Sequence, residues 1–204
     1  YWLSQIPLWR RKNDLTRADM RQVWNLLRTG DILLVGNFIH ISGLFIDGVV
    51  THALGYTGKW RCIHAFAHGV SYIGLRKVLR HYDTVVILRP YWKWNESNTF
   101  RNNLIQKLGT PYDFYFWLNE KENDAYFCSQ LINDSLQEIG YKTHLTSIRD
   151  SENILDEVLD STFRGHRILL PDAMIYGNFE VIFHSHNIKK EGKKYILTKS
   201  KLLM

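Results

Sequence analysis

The chain has 204 residues, of which 45% are hydrophobic and 23% are charged, as is usual for a single globular domain with a sizeable core. Its formal net charge is +6, but residues 187–204 hold six lysines and one glutamate and so carry +5 of it. The rest is nearly neutral, which excludes a basic groove for nucleic acid. Two cysteines, Cys62 and Cys128, are too few for a disulfide framework.

Helix and strand signals alternate in the first half of the chain. Thr16 and Asp19 mark the start of a helix that Gly30 ends. Strand patterns follow, with a turn at residues 57–59 that joins the second and third strands into a hairpin. The predicted strands are residues 31–35, 49–56, 60–66 and 84–88, and a short helix is predicted at residues 75–81.

The second half is helical in its middle and returns to strands at its end. Helices are predicted at residues 98–108, 128–139 and 154–159, and late strands at residues 179–184 and 194–198. Strands, then helices, then strands predict an α+β fold with an antiparallel sheet. We expect one domain at residues 13–186, an N-terminal arm at residues 1–12 and a basic C-terminal strand or tail at residues 187–204.

The two ends of the chain carry the predictions about location and surface. Residues 1–12 are expected to be an arm that packs on the domain, and the alternative is the end of a removed signal or anchor. That alternative implies the cell envelope or secretion, and otherwise the protein is expected in the cytoplasm. The lysine-rich residues 189–194 predict a solvated hairpin, with weak attraction to an anionic surface as the alternative.

Cys128 is the residue with the clearest chemical signal. It stands where a polar loop gives way to an amphipathic helix, since Leu131, Ile132 and Leu136 follow it at helical spacing. The positive end of a helix dipole favours thiolate over thiol, and thiolate is the nucleophilic form. The alternative is a buried cysteine that only fills the core.

A cysteine nucleophile needs an imidazole as base and a third group that orients the imidazole. His52 and His64 occupy the two strands of the predicted hairpin, so both side chains can face one side of the sheet. Ordinary histidines bonded to the backbone are the alternative, and a zinc site that adds Cys62 and Cys128 is another. Because the spacing matches no zinc-finger pattern, we predict no metal and expect Cys62 to pack beside the site.

Four sequence pieces, taken in order, resemble one known family. They are Gly-Asp-Ile-Leu-Leu at 30–34, Thr-His-Ala-Leu-Gly-Tyr-Thr-Gly at 51–58, Leu-Gly-Thr-Pro-Tyr-Asp at 108–113 and Tyr-Phe-Cys-Ser-Gln-Leu at 126–131. This order is similar to the circularly permuted, YiiX/YebB-like branch of the NlpC-type papain-like hydrolases, which are related to lecithin retinol acyltransferase. The resemblance implies a papain-like sheet or small barrel packed against helices, with the histidine strand before the cysteine helix.

The resemblance also implies the roles of the site residues. It makes Cys128 the nucleophile, His52 the general base and His64 the orienting residue. Tyr112 matches a tyrosine that lines the site in NlpC-type peptidases. Tyr126 and Ser129 flank the nucleophile in the same motif and are expected to contact substrate. No cofactor is expected.

The implied reaction is attack of the Cys128 thiolate on an acyl carbonyl, with backbone N–H groups at the helix start meeting the oxyanion. The expected substrate is an amide or peptide bond of the cell-wall type, such as a peptidoglycan fragment. One alternative is a lipid acyl hydrolase or acyltransferase, and another is a non-catalytic or zinc-stabilised binding module. The apolar residues 38–50 are either a lid over the site or a buried helix.

Overall fold

The computed structural model describes residues 13–37, 49–114, 125–145 and 169–198. Four predicted features lie wholly or largely outside these residues: the arm at 1–12, the lid or buried helix at 38–50, the helix at 154–159 and the end of the tail at 199–204. Within the described part of the chain, no helix has both the length and the apolar character needed to cross a membrane.

The described residues form helices on either side of an antiparallel sheet. The helices are α1 (Arg17–Leu26), α2 (Leu75–His81), α3 (Glu96–Gln106), α4 (Cys128–Gln137) and a 3-10 helix (Asp172–Tyr176). The strands are β1 (Ile32–Gly36), β2 (His52–Gly58), β3 (Arg61–Phe66), β4 (Gly69–Gly74), β5 (Thr84–Arg89), β6 (Glu180–His184), β7 (Ile188–Glu191) and β8 (Lys194–Leu197). Six strands pair in the order β4-β3-β2-β1-β5-β6, and β7 pairs with β8. The α+β prediction is confirmed.

The two faces of the sheet bury two separate apolar clusters, because successive side chains of a strand point to opposite faces. In β1, Ile32 and Leu34 belong to the cluster covered by α3 and α4, whereas Leu33 and Val35 belong to the cluster covered by α1 and α2. Every pairing in the six-stranded sheet is antiparallel. The sheet is therefore the middle layer, with Cys128 at the start of a helix on one of its faces.

Close packing fixes α3 and α4 against the middle of the sheet. A Cβ atom on Gly55 of β2 would lie 2.3 Å from Leu104 Cδ1 of α3, so only glycine allows this approach. The same atom would lie 3.4 Å from Ile132 Cδ1 of α4. The strand that carries His52 thus also sets the positions of the two helices on this face.

Several predicted boundaries differ from the structure, and three elements show this clearly. The second strand begins at His52 rather than residue 49, because other partners take the backbone groups before it. The Val49 and Val50 N–H groups donate to Asp172 Oδ1, and the Val49 carbonyl accepts from the Thr84 hydroxyl. The helix predicted at 98–108 spans Glu96–Gln106, and the helix predicted at 128–139 ends at Gln137.

Two strands and the 3-10 helix were not predicted. Strand β4 begins and ends with a glycine, which is unfavourable within a strand pattern, and β7 is the first strand of the lysine-rich hairpin whose second strand was predicted. The hairpin itself is confirmed, since Glu191 pairs with Lys194 across its turn.

Candidate active site

The hairpin of β2 and β3 opens where the two histidines lie. The pairing of the strands runs from Gly58 with Arg61 to Gly55 with Ile63, and both His52 and His64 lie beyond this last pair. In the open end, His52 Nε2 and His64 Nδ1 are 2.9 Å apart, so one nitrogen donates a hydrogen bond to the other. The predicted closeness of these two side chains is therefore observed.

Burial keeps both imidazoles neutral. Each histidine exposes only 7% of its surface. Burial first, and then the charges of His64 and His81, hold the pKa of His52 well below its ordinary value. Burial, together with the charge of Lys77, lowers the pKa of His64 to about 4. At neutral pH the pair therefore carries no charge, and His52 can accept a proton.

Cys128 begins α4 on the face of the sheet that α3 also covers, and it lies beside the backbone of β2. Its thiolate would accept hydrogen bonds from the Ala53 and Ser129 N–H groups. Ala53 follows His52 directly. Because the hairpin is open at this end, Ala53 is not paired with a residue of β3. Cys128 thus lies at the end of β2 that carries His52, although His52 pairs with Val35 and its side chain faces the α1/α2 side of the sheet.

The sulfur itself is more buried than its place at a helix start suggests. Cys128 is 8% exposed and belongs to the apolar cluster under α3 and α4. Burial raises the pKa of the thiol, and this outweighs the hydrogen bonds from Ala53, Ser129 and its own N–H, which lower it. The effect of the helix dipole that the sequence indicates is therefore outweighed by burial, which favours the thiol over the thiolate.

The Gly-Thr-Pro-Tyr turn is attached to both the sheet edge and the cysteine segment. Gly109 N–H donates to the Val70 carbonyl, and Val70 N–H donates to the Thr110 carbonyl. Tyr112 and Tyr126 form a parallel bridge, two residues before the start of α4. Burial, and then the charge of Cys128, raise the pKa of the Tyr112 hydroxyl.

A glycine makes this attachment possible. Gly69 at the start of β4 has φ +89°, and a Cβ atom there would lie 2.4 Å from the Thr110 carbonyl oxygen. Only glycine adopts this conformation without strain and leaves room for the turn. Edge strand β4, absent from the sequence-based assignment, therefore fixes the position of Tyr112.

The two remaining motif residues, Tyr126 and Ser129, have different surroundings in the structure. Tyr126 is half-buried, and its ring lies 5.8 Å from the Lys107 ammonium group. Ser129 is fully buried, and its hydroxyl donates to the Leu169 carbonyl beneath the helix start. Their contact with substrate remains a prediction.

The zinc alternative is not supported by the described residues. Cys62 is fully buried in the cluster under α1 and α2, whereas Cys128 lies in the cluster on the other face. Two histidine nitrogens bound to one tetrahedral zinc ion would be about 3.3 Å apart, and the lone pair of each would point at the metal. The nitrogens of His52 and His64 instead form a hydrogen bond with each other at 2.9 Å. Among the described residues, no group of three potential ligands is placed to hold a metal ion. Burial also raises the pKa of the Cys62 thiol, in keeping with packing beside the site.

Sequence reasoning missed two aromatic rings that enclose the histidine pair. The Tyr82 ring stacks on His52, with centroids 6.1 Å apart and an interplanar angle of 13°. The Phe66 ring stacks on His64 at 5.7 Å and meets His52 edge-on at 5.9 Å. Phe66 stands two residues after His64, so strand alternation alone would have indicated it.

The fold is similar to that of a solved structure. The crystal structure of metalloprotein yiiX from Escherichia coli O157:H7 matches 78% of this chain and 97% of its own, with a TM-score of 0.62 and 18% identity. At this identity the likeness concerns the fold alone. No curated protein matches the chain in sequence.

A family model matches the part of the chain that contains the whole site. The match covers residues 26–177, which include the histidine hairpin, the Tyr112 turn and the start of α4. The model describes a permuted papain-like amidase enzyme of the YaeF/YiiX, C92 family. The chain therefore belongs to this family, and at that level it is a cysteine amidase.

Proposed function

We propose that the protein hydrolyses a peptide-type amide bond through a thioacyl intermediate on Cys128. The observation that carries the proposal is that the Cys128 sulfur lies against the N–H of Ala53, the residue after His52, whose imidazole is hydrogen-bonded to His64. A nucleophile, a base and a group that orients the base are the three parts this chemistry needs.

In this proposal His52 is the general base and acts through Nδ1. Its Nε2 is already engaged with His64, so Nδ1 is the nitrogen left to take a proton. If Nε2 carries the hydrogen, it donates to His64 Nδ1, and the neutral ring has its free lone pair on Nδ1. His64 thereby holds His52 in the tautomer that accepts the thiol proton.

The thiol proton leaves Cys128 as the sulfur attacks the carbonyl carbon. Because burial raises the pKa of the thiol and lowers that of His52, both groups start neutral. Proton transfer to His52 then accompanies formation of the carbon–sulfur bond and the oxyanion. The imidazolium returns the proton to the leaving amine, and water releases the acyl group in the second half of the reaction.

Backbone N–H groups at the start of α4 supply the oxyanion contacts in this scheme. Hydrogen bonds from the Cys128 and Ser129 N–H groups lower the pKa of the Cys128 sulfur, which is in keeping with donors close to the reacting atom. Donors of this kind stabilise charge that develops in the transition state and need no reorganisation. The Ser129 hydroxyl, which donates to the Leu169 carbonyl, ties this helix start to the chain at residue 169.

The substrate class is tested by offering the protein two mixtures, soluble peptidoglycan fragments and phospholipid vesicles, and analysing the products by mass spectrometry. The expected result is cleavage of an amide bond in the fragments by the wild type, with Cys128→Ala as the matched control that loses it. Release of fatty acid from the vesicles, with no amide cleavage, would instead assign lipid acyl hydrolysis. Equal turnover by Cys128→Ala would reject the whole scheme.

A further inference from the structure

Tyr82 is a buried aromatic residue that belongs to no part of the catalytic scheme above. It follows α2 as its C-terminal cap, and 7% of its surface is exposed. Its ring lies nearly parallel to the imidazole of His52, at an interplanar angle of 13°. A large apolar ring therefore packs against the base in a parallel, offset arrangement.

The backbone of Tyr82 is tied down on both sides. Its N–H donates to the Val78 carbonyl at 3.2 Å. The Asn13 side-chain amide donates to the Leu79 carbonyl at 2.7 Å and to the Tyr82 carbonyl at 2.9 Å. The ring therefore stands on a rigid support, as a residue that positions another side chain must.

The location of Tyr82 also brings it to the nucleophile. Burial, and then the charge of Cys128, raise the pKa of the Tyr82 hydroxyl. The charge of Tyr82 in turn raises the pKa of the Tyr112 hydroxyl. Tyr82 thus packs against the histidine base and is influenced by the charge of the cysteine, although it is 30 residues from His52 in the chain.

The His52 imidazole needs such a support because one hydrogen bond does not fix a ring. The bond from Nε2 to His64 Nδ1 sets one atom, and the ring can still rotate about it. Phe66 meets His52 edge-on at 80°, which limits this rotation from one direction. The parallel, offset ring of Tyr82 limits it from a second direction, and aromatic pairs of this kind attract each other by about 1 kcal/mol.

We propose that Tyr82 is a positioning residue of the active site, whose ring fixes the plane of His52 so that Nε2 stays on His64 and Nδ1 points at the Cys128 thiol. The inference rests on the proposed role of His52 as base. It assigns the effect to the ring of Tyr82 and not to its hydroxyl.

Two substitutions separate ring from hydroxyl. Tyr82→Phe keeps the stacked ring and removes only the oxygen, whereas Tyr82→Leu removes the ring. Tyr56→Leu is the matched control, because Tyr56 is 5% exposed and buried in the same apolar cluster as Tyr82. It reports what the loss of a buried tyrosine does to the fold alone.

The first measurement is nitrogen-15 NMR of the His52 side chain, which needs no substrate. We expect a single tautomer with the proton on Nε2 in the wild type, in Tyr82→Phe and in Tyr56→Leu. Tyr82→Leu should instead show averaged signals from both ring nitrogens. A single unchanged tautomer in Tyr82→Leu would overturn the proposal.

The second measurement is steady-state kinetics on the amide that the wild type cleaves. Tyr82→Leu should lower kcat about 100-fold with KM little changed, as expected for a misplaced base, while Tyr82→Phe keeps at least half of wild-type kcat. An equal loss in Tyr82→Phe would overturn the assignment to the ring. If no amide is cleaved by any form, the proposed function fails, and the NMR result still decides whether Tyr82 positions His52.

Discussion

His52 Nε2 and His64 Nδ1 lie 2.9 Å apart in the opened end of one hairpin, and neither imidazole carries a charge at neutral pH. This relationship commits one nitrogen of His52 to its neighbour and leaves the other for a proton. It also makes the site sensitive to the identity of residue 64 and to acid.

The first prediction concerns the orienting role of His64. His64→Leu removes the hydrogen-bond partner of His52 Nε2, so kcat should fall on the order of 100-fold. His64→Asn restores a polar partner and should recover part of this loss. Steady-state kinetics of the two variants, with thermal melting to show that both fold, makes the comparison. Equal kcat in wild type and His64→Leu would remove His64 from the mechanism.

The second prediction is a loss of stability in acid. The unfolded chain binds a proton on His64 near pH 6.5, whereas the folded chain binds it only near pH 4. Stability is thus greatest above pH 6.5 and is lost as pH falls. Between pH 8 and 5 the free energy of unfolding should drop by about 2 kcal/mol through His64 alone.

Urea unfolding at a series of pH values measures this drop. The burial of His52 adds to it in the same direction. His64→Gln, which cannot titrate, should flatten the pH dependence. The same dependence in His64→Gln as in the wild type would show that other groups cause it.

The third prediction concerns thiol reactivity. Because burial raises the pKa of Cys128 above its ordinary value, alkylation by iodoacetamide should be slow at pH 6 and should increase into the alkaline range. Cys62, which is fully buried on the other face of the sheet, should react only after unfolding. Mass spectrometry of the two cysteine peptides, with urea-unfolded protein as control, measures both rates. Rapid labelling of Cys128 at pH 6 would indicate a resting thiolate instead.

The fourth prediction concerns the attachment of the Tyr112 turn. Gly69→Ala places a Cβ atom 2.4 Å from the Thr110 carbonyl oxygen at φ +89°, so it should cost about 2 kcal/mol or more and displace the turn. Gly74→Ala is the control, since a Cβ atom there meets nothing within 4 Å. It should cost less than about 1 kcal/mol, as an N-cap change does. Similar urea midpoints for the two variants would contradict this account of Gly69.

The sequence indicated the histidine pair and the cysteine helix because both follow from local periodicity. His52 and His64 flank a short turn, and Leu131 and Leu136 repeat at helical spacing after Cys128. The strand boundary at His52 was missed because Asp172, more than 100 residues away, takes the Val49 and Val50 N–H groups. A long-range side-chain partner leaves no trace in a local pattern.

The electrostatics of the site could not be predicted in the same way. The dipole of α4 is a local property that favours thiolate, but the burial of Cys128 arises from packing of α4 on β2 and β3. Tyr82 was missed for a similar reason, since its contact with His52 exists only once α2 packs against the sheet. Tertiary packing, not local sequence, decides both.

The central claim is that Cys128 forms the covalent intermediate, and trapping that intermediate tests it most directly. Wild-type protein is mixed with soluble peptidoglycan fragments, quenched in acid within seconds, digested and analysed by mass spectrometry. The account predicts an acyl group on the peptide that contains Cys128 and none on the peptide that contains Cys62. In Cys128→Ser, which lacks the sulfur, no thioester forms at residue 128. Amide cleavage that persists in Cys128→Ala, or an acyl adduct on another residue, would contradict it.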